Sequence, residues 1–440
     1  MNSQIRVQDV FGITSSVPTY TYVDRAGLDA RFELLLDTDK HMVLHGASKQ
    51  GKTVLRRKSL PEEQCVVVQC RTNWKLEDLY DELLSRLNVL VATETTKSVK
   101  TTVSGELKVQ GEGSVPMVAK IAGDLSGGFE RENGAEVKTV PAVKQQSTLS
   151  FLIDAIKVSG KRVVLEDLHY LEEDQRKRLA TDLKAFYEES VFFVMVGVWA
   201  DQSIFNFYNP DLSGRIEEID PRWTEQELTE VLNKGQSALN IDIDEELVKQ
   251  IVADSYRNVG LLQSLAFRFC VESDVTKWQW ARKKLTDKDP LQRARLHICQ
   301  ELGAKYTQMA RVFERGFRKS TELHVYQNIL RIAVQASEAE LMNGLAYSDV
   351  FDRIHKINSA IRASDLTAAL NKIARLQVDN GMQRPILSYQ SRSRIIQLVD
   401  VDLLFYKKYS DHQWPWLTGD DDDEAPRESM VLIEDPDFVE

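Results

Sequence analysis

The chain has 440 residues, enough for two to four domains at ~100–200 residues each, and its 42% hydrophobic and 28% charged content is that of a folded, water-soluble protein. Its 21 Gly and 11 Pro exclude a collagen-like or low-complexity chain, and no apolar run reaches the ~18 residues of a transmembrane helix. Four Cys (Cys65, Cys70, Cys270, Cys299) form neither a disulfide framework nor a C-x-x-C pair, and the start Met1-Asn2-Ser3-Gln4-Ile5-Arg6 has no apolar secretory stretch, so a cytoplasmic protein is expected.

The strongest chemical signal lies at residues 46–53, Gly46-Ala47-Ser48-Lys49-Gln50-Gly51-Lys52-Thr53, which fits G-x-x-x-x-G-K-[ST]. His41–His45 before it is a partly apolar run of strand length, and Thr53-Val54-Leu55-Arg56-Arg57 after it opens a helix. Glycines let such a backbone curl until its N–H groups face phosphate oxygens, and the helix N-terminus adds a favourable dipole. Residues Gly46 to Val54 are therefore the expected nucleotide cradle. Lys52 would reach the β- and γ-phosphates, and Thr53 would offer its hydroxyl to Mg²⁺. Cys65-Val66-Val67-Val68-Gln69-Cys70 reads as a second buried strand.

Residues 97–145 break this rhythm. From Val103 to Phe129 fourteen successive odd positions are apolar or Gly, and most even positions are polar. A period of two marks strands with one wet and one dry face. With turns at Gly111–Ser114 and Asn133-Gly134, a β-meander of two or three strands is expected. It either packs on the core or a neighbouring subunit, or forms a hairpin that assembles into a barrel or enters a bilayer. The many Gly on the dry face argue against lipid, because such a face buries little apolar area.

Arg162-Val163-Val164-Leu165-Glu166-Asp167 describes a buried parallel strand whose C-terminal end carries two carboxylates. On a strand neighbouring the phosphate loop, one would hold Mg²⁺ through water and the other would polarise the attacking water. The order is Glu166 then Asp167, so the division of labour stays open. An amphipathic helix near 174–190 precedes a strand over 191–199, and Ile216–Asp220 reads as an edge strand. Trp199, Asp201 and Gln202 lie where a γ-phosphate sensor would sit, and none stands out. Strands alternating with helices predict an α/β parallel sheet.

This arrangement resembles the AAA+ and STAND P-loop ATPases, especially their origin-recognition-initiator-like branch. The resemblance implies a three-layer αβα core over residues 1–222, a helical lid over 223–280, a basic helical linker over 281–324 and a C-terminal winged helix over 325–410. It implies that Val17-Pro18-Thr19-Tyr20 through Arg25 lies over the adenine before the first helix. Ser213-Gly214-Arg215, then Ile219, Pro221, Trp223-Thr224 and Glu227-Leu228, resembles the initiator pattern of an Arg followed by an edge strand and the first lid helix. Arg215 is then the candidate arginine finger acting on a neighbouring subunit. Arg257–Ser264 occupies the place of a second sensor, but the usual Gly-x-x-Arg is absent and Gln263 stands near it. The resemblance further implies ATP and Mg²⁺ as cofactors, ATP hydrolysis, a homo-oligomeric switch and, for many STAND proteins, defence against phage.

Residues 281–320 carry eleven Lys/Arg against four Asp/Glu, a face for phosphates or an acidic partner. Over 325–408, helices at Tyr326–Ala336, at Tyr347–Ile357 and from Ala363 (N-cap Ser364) to Gly381 precede strands Pro385–Tyr389 and Ile395–Val399. Lys372, Arg375, Arg384, Arg392 and Arg394 would meet duplex DNA in such a domain. A protein-binding winged helix fits equally, since residues 320–410 hold eleven basic and nine acidic groups. Ten acidic residues and one Arg give 418–440 a charge of −9, leaving only −2 of the total −11 to the body. That tail, part of an acidic segment from 411 to 440, is expected to be disordered at first, with Met430–Val439 as a docking peptide for a partner protein. The rival readings are an ATP-dependent switch, a DNA-bound initiator, loader or transposition-type regulator, and a membrane-acting assembly.

Overall fold

The computed structural model describes residues 5–14, 16–94, 117–120, 138–141, 149–198, 204–314, 324–382, 385–412 and 414. At its centre five parallel strands, β1 (His41–Leu44), β2 (Cys65–Gln69), β6 (Arg162–Glu166), β7 (Phe193–Val196) and β8 (Ile216–Ile219), stand in the order β2-β6-β7-β1-β8. Their side chains alternate into two dry layers. Val43, Val163, Leu165, Phe193 and Met195 pack on one side, and Met42, Leu44, Val164, Val194 and Val196 on the other. Both faces are covered, which is why β1, β2, β6 and β7 are mainly apolar, while the edge strand β8 carries Glu217 and Glu218 half-buried. Helices α2 (Leu28–Leu36) and α3 (Lys52–Ser59) lie over the second layer; α4 (Leu76–Arg86), α5 (Leu149–Ser159) and α6 (Glu173–Glu188) lie over the first. The fold is that of an α/β P-loop protein, as expected, with β8 at the sheet edge.

Three expectations need correction here. The strand with the carboxylates, β6, does not neighbour the phosphate-loop strand β1, because β7 lies between them and pairs with both. A short helix, α1 (Val7–Phe11), precedes the 17–25 segment, which leads into α2 and not into the first helix of the chain. Strand β3 (Val89–Glu94) begins before the expected insertion and pairs in parallel with β4 (Met117–Lys120) and antiparallel with β5 (Lys138–Pro141). A parallel neighbour requires a crossover, so these strands are no simple up-and-down meander. The two turns expected at 111–114 and 133–134, and most of the membrane-hairpin segment, lie outside the described residues. So do Trp199, Asp201 and Gln202.

Beyond β8, α7 (Ile204–Tyr208) having come just before it, the chain builds α8 (Glu225–Leu239), β9 (Ile241–Ile243), α9 (Glu245–Asp254) and α10 (Val259–Glu272). Thr224 and Glu227 form the capping box of α8, each accepting the other's backbone N–H. This region is not purely helical, since β9 pairs in parallel with β10 (Lys283–Leu285). The long α11 (Asp289–Glu314) follows, and its cations are largely spent inside the molecule: Arg293 binds Glu272 at 2.7 Å, Arg295 binds Asp254, and Lys305 pairs with Asp400. Arg315, Arg318 and Lys319 lie outside the described residues.

The C-terminal part has α12 (Val325–Gln335), α13 (Glu338–Asn343), β11 (Leu345–Ala346), α14 (Tyr347–Ile357), α15 (Ala363–Leu370), α16 (Ile373–Asp379), strands β12 (Leu387–Gln390) and β13 (Ile395–Leu398), and α17 (Asp402–Tyr409). The sheet order is β11-β13-β12. The helix expected from Ala363 to Gly381 is broken at Asn371-Lys372, and its cap is Arg362 with Asp365 rather than Ser364, whose place is inside the first turn. Met1–Ser410 is one compact unit and Asp411–Glu440 another, in which only residues 411, 412 and 414 are described. The tail and its docking peptide therefore lie outside the described residues. Among the described residues no helix is long and apolar enough to cross a membrane.

His41 opens β1 fully buried. Its Nδ1 accepts from the Phe193 N–H at 3.1 Å and its Nε2 donates to the Leu183 carbonyl at 2.9 Å, so the neutral ring is locked in one tautomer. Burial pushes its pKa down from 6.5 to about 4. Below pH ~6.5 the unfolded chain takes up a proton that the native ring refuses, so this group weakens the fold as the pH falls from ~6.5 to ~4, by up to about 3 kcal/mol. Melting curves at pH 7 and pH 5 are expected to show a smaller acid-induced drop in His41→Gln than in the wild type. Identical drops would assign the loss to other groups.

Candidate functional site

The loop between β1 and α3 leaves the C-terminal end of the sheet, where ligands of open α/β sheets bind. It turns through three left-handed residues, Gly46 (φ +121°), Lys49 (φ +61°) and Gly51 (φ +77°). Gly51 is the N-cap of α3, a conformation glycine takes without strain, and it brings no side-chain cap to the N–H groups of the first turn. Those donors and the helix dipole are a ready anion site. Lys52 is buried, and its Nζ donates to the Gly46 and Ala47 carbonyls at 3.0 and 2.6 Å, so the loop folds around its own ammonium. Beside it is a cavity of about 230 Å³ walled by residues Ser48 to Val54, by Pro18 and Tyr22, by Val196 and Val198, and by Trp223, Val259 and Gln263.

Carbonyls of three consecutive loop residues are strapped to the surroundings. Ser48 O accepts from Asn258 Nδ2 at 2.9 Å, and Lys49 O accepts from the Gly260 N–H at 3.2 Å. Gln50 O accepts from Arg25 Nη1 at 2.9 Å and from Trp223 Nε1 at 3.1 Å, while Gln50 Nε2 donates to the Arg257 carbonyl. Arg25 lines the same cavity. It is buried, donates also to the Pro221 carbonyl at 2.8 Å, and stacks on the Trp223 ring at 4.6 Å. It braces the cavity wall with its guanidinium already engaged, and burial lowers its pKa.

The two carboxylates at the end of β6 part company. Asp167 takes a left-handed conformation (φ +57°), lines the same cavity as Lys52 and Thr53, and accepts from Gln69 Nε2 at 2.8 Å. Glu166 does not line that cavity; it binds Arg56, one turn past Lys52 on α3, at 2.8 Å. Arg56 is 1% exposed, so this pair is a buried tie between α3 and β6. Among the described residues no group of three or more His, Cys, Asp or Glu forms a metal cluster. Thr53 and Asp167 would hold Mg²⁺ only with phosphate oxygens and water, which is how this hard ion is usually bound beside nucleotides.

Arg215 stands at the far end of the sheet. Its carbonyl accepts from the His41 N–H at 3.0 Å, where β1 begins, while the phosphate loop follows the other end of β1. The guanidinium meets Glu188 at 3.5 Å and the Tyr187 ring at 4.8 Å. It does not line this chain's own cavity. Gln263 does, and donates to Thr21 Oγ1 at 3.4 Å. Sequence reasoning missed Gln69, Arg56 and Asp402, which pairs with Lys49 at 2.9 Å. Gln69 had a signal: it ends an apolar strand as Glu166 does. Arg56, four residues after Lys52, shares its helix face. Asp402 had none.

No family model and no curated protein matches the chain. Among solved structures, a Walker-type ATPase of Pyrococcus abyssi is similar over 91% of this chain and 99% of its own, at 14% identity and a TM-score of 0.52. The RuvB Holliday junction branch migration motor of Thermotoga maritima aligns over 88% of this chain and 96% of its own, at 13% identity and a TM-score of 0.37. A STAND protein with a tetratricopeptide repeat sensor from Pyrococcus horikoshii aligns over 91% of this chain and 44% of its own, at 10% identity and a TM-score of 0.36. The first likeness spans both chains and shows the fold of a P-loop ATPase; the other two are too loose to argue from.

Proposed function

We propose that the chain binds ATP with Mg²⁺, hydrolyses it, and uses the cycle as an oligomeric switch of the AAA+ or STAND type. The observation that carries this reading is the convergence of the uncapped α3 N-terminus, Lys52, Thr53 and Asp167 on one cavity. Mg²⁺, where bound, would neutralise charge on the β- and γ-phosphate oxygens. The chain's own groups supply the rest. Backbone N–H groups of the loop and of α3 orient the polyphosphate, and Lys52 exchanges its loop carbonyls for phosphate oxygens. Asp167, aimed by Gln69, accepts hydrogen bonds from the metal's water or from the attacking water. Glu166 stays with Arg56 and braces α3 against β6. The apolar wall of Pro18, Val196, Val198 and Val259 suits the base.

Arg215 takes part only in an assembly, because it cannot serve its own chain's site. In light scattering with ATP and Mg²⁺, the wild-type mass is expected to rise to a multiple of the monomer, while Arg215→Ala hydrolyses ATP at least about tenfold more slowly. A constant wild-type mass would remove the switch, and an unchanged Arg215→Ala rate would remove the finger. Service in defence against phage is the biological setting that the STAND resemblance suggests.

The DNA-binding reading of 325–410 ranks second. Arg392 and Arg394 are exposed, but Arg375 on α16 pairs with Glu172 of the core at 3.1 Å and with Asp379 at 3.3 Å. These two carboxylates offset the Arg375 charge that a groove-reading helix would bring to phosphate.

A further inference from the structure

Lys49 poses a physical problem that the loop motif does not solve. A left-handed backbone costs a lysine ~1–2 kcal/mol and costs a glycine almost nothing. Such conformations persist only where surroundings over-determine them. Two anchors do so here. The Lys49 carbonyl takes the Gly260 N–H at 3.2 Å, and the Lys49 ammonium meets Asp402 Oδ2 at 2.9 Å. Gly260 allows this approach because a Cβ there would lie 2.7 Å from the Lys49 Cβ.

Asp402 is built into place. It is 3% exposed and is the first residue of α17, where the helix dipole favours a carboxylate. Lys305 of α11 stands 4.0 Å from the same Oδ2, and Asp402 Oδ1 has no hydrogen-bond partner among the described residues. Lys305 lies closer to the neighbouring Asp400, so the Asp402 charge rests chiefly on Lys49, and losing that lysine leaves a buried carboxylate under-compensated. The other end of α17 is pinned as well: Lys408 and Tyr409 reach the buried Asp254 at 3.0 and 2.5 Å, beside Arg295. The carboxylate facing Lys49 is thus presented from a helix held at both ends.

We propose that Asp402, 353 positions from Lys49 in the chain, is a positioning residue of the phosphate loop: by gripping the Lys49 ammonium it keeps the loop backbone in the shape that receives a polyphosphate. The proposal rests on the ATP reading of the site. It makes the loop's geometry depend on the C-terminal helix and not only on the core and lid.

The test uses the full chain and a double-mutant cycle. Asp402→Asn should weaken Mg-ATP binding about tenfold by calorimetry, the worth of one charge-assisted tie. It should also speed amide exchange of residues 46–52 in nucleotide-free protein. In a Lys49→Gly background, where glycine takes the left-handed conformation unaided, Asp402→Asn should add less than about twofold. Lys49→Met breaks the pair from its exposed side and should reproduce the loss even if Asp402→Asn folds poorly. Equal weakening in both backgrounds, tighter binding by Asp402→Asn, or unchanged exchange at 46–52 would each overturn the proposal. If the wild type itself binds no Mg-ATP, the ATP reading falls, and amide exchange alone still decides whether Asp402 shapes the loop.

Discussion

Lys52→Ala is expected to lose at least about 100-fold in Mg-ATP affinity by isothermal calorimetry. The reasoning starts from the loop. Its donors are backbone N–H groups, neutral and partly solvated, and Lys52 is the buried cation at their centre. Two charge-assisted hydrogen bonds to phosphate oxygens at ~1.5–3 kcal/mol each amount to roughly 3–6 kcal/mol, or more than two decades of affinity. The fold should survive, because the core residues of β1 and α3 do not depend on the ammonium. A melting temperature near that of the wild type, together with lost binding, is therefore the expected pair of results. Affinity within a few-fold of the wild type would mean that the cavity takes some other ligand.

Asp167→Asn and Glu166→Ala are expected to fail in different ways, and the contrast is the second large effect. Asp167 lines the cavity, so its amide should still permit nucleotide binding while turnover falls at least about 100-fold, the scale on which a positioned general base acts. Glu166 faces Arg56 instead. Removing that carboxylate leaves a guanidinium that is 1% exposed without its counter-charge, which should cost about 3 kcal/mol of stability. Glu166→Ala should thus show a clear fall in melting temperature, and Arg56→Met in the same chain should recover part of it. Calorimetry, steady-state turnover and melting curves on the three variants separate the roles. If Glu166→Ala stops turnover at unchanged stability, the assignment of the two carboxylates is reversed.

The phosphate loop was legible because glycine, lysine and threonine at fixed spacing have few other uses between a strand and a helix. The inner strands were legible because burial on both faces demands continuous apolar runs, and Val66–Val68, Val163–Leu165 and Phe193–Val196 satisfy that demand, whereas β8 with Glu217 and Glu218 read as an edge. What holds Arg25 at the cavity wall was not legible, because a cation near a nucleotide loop looks alike from sequence whatever its partners are. Its three partners, Gln50, Pro221 and Trp223, come from two distant stretches of chain. The break at Asn371-Lys372 escaped because helix periodicity on either side remains compatible with one continuous helix.

What the sequence determined by itself is local chemistry: a loop able to cradle phosphate, strands dry on both sides, and a pair of acids at the end of one of them. What only the tertiary structure decided is which of those groups share a space. It inserted β7 between the loop strand and the acid strand, turned Asp167 inward and Glu166 onto Arg56, and set Arg215 at the opposite end of the sheet. It also brought Asp402 to Lys49. The reason is physical: propensity and periodicity act over a few residues, whereas the direction a carboxylate takes is settled by the nearest donor or counter-charge, Gln69, Arg56 or Lys49 here, and that partner is supplied by packing.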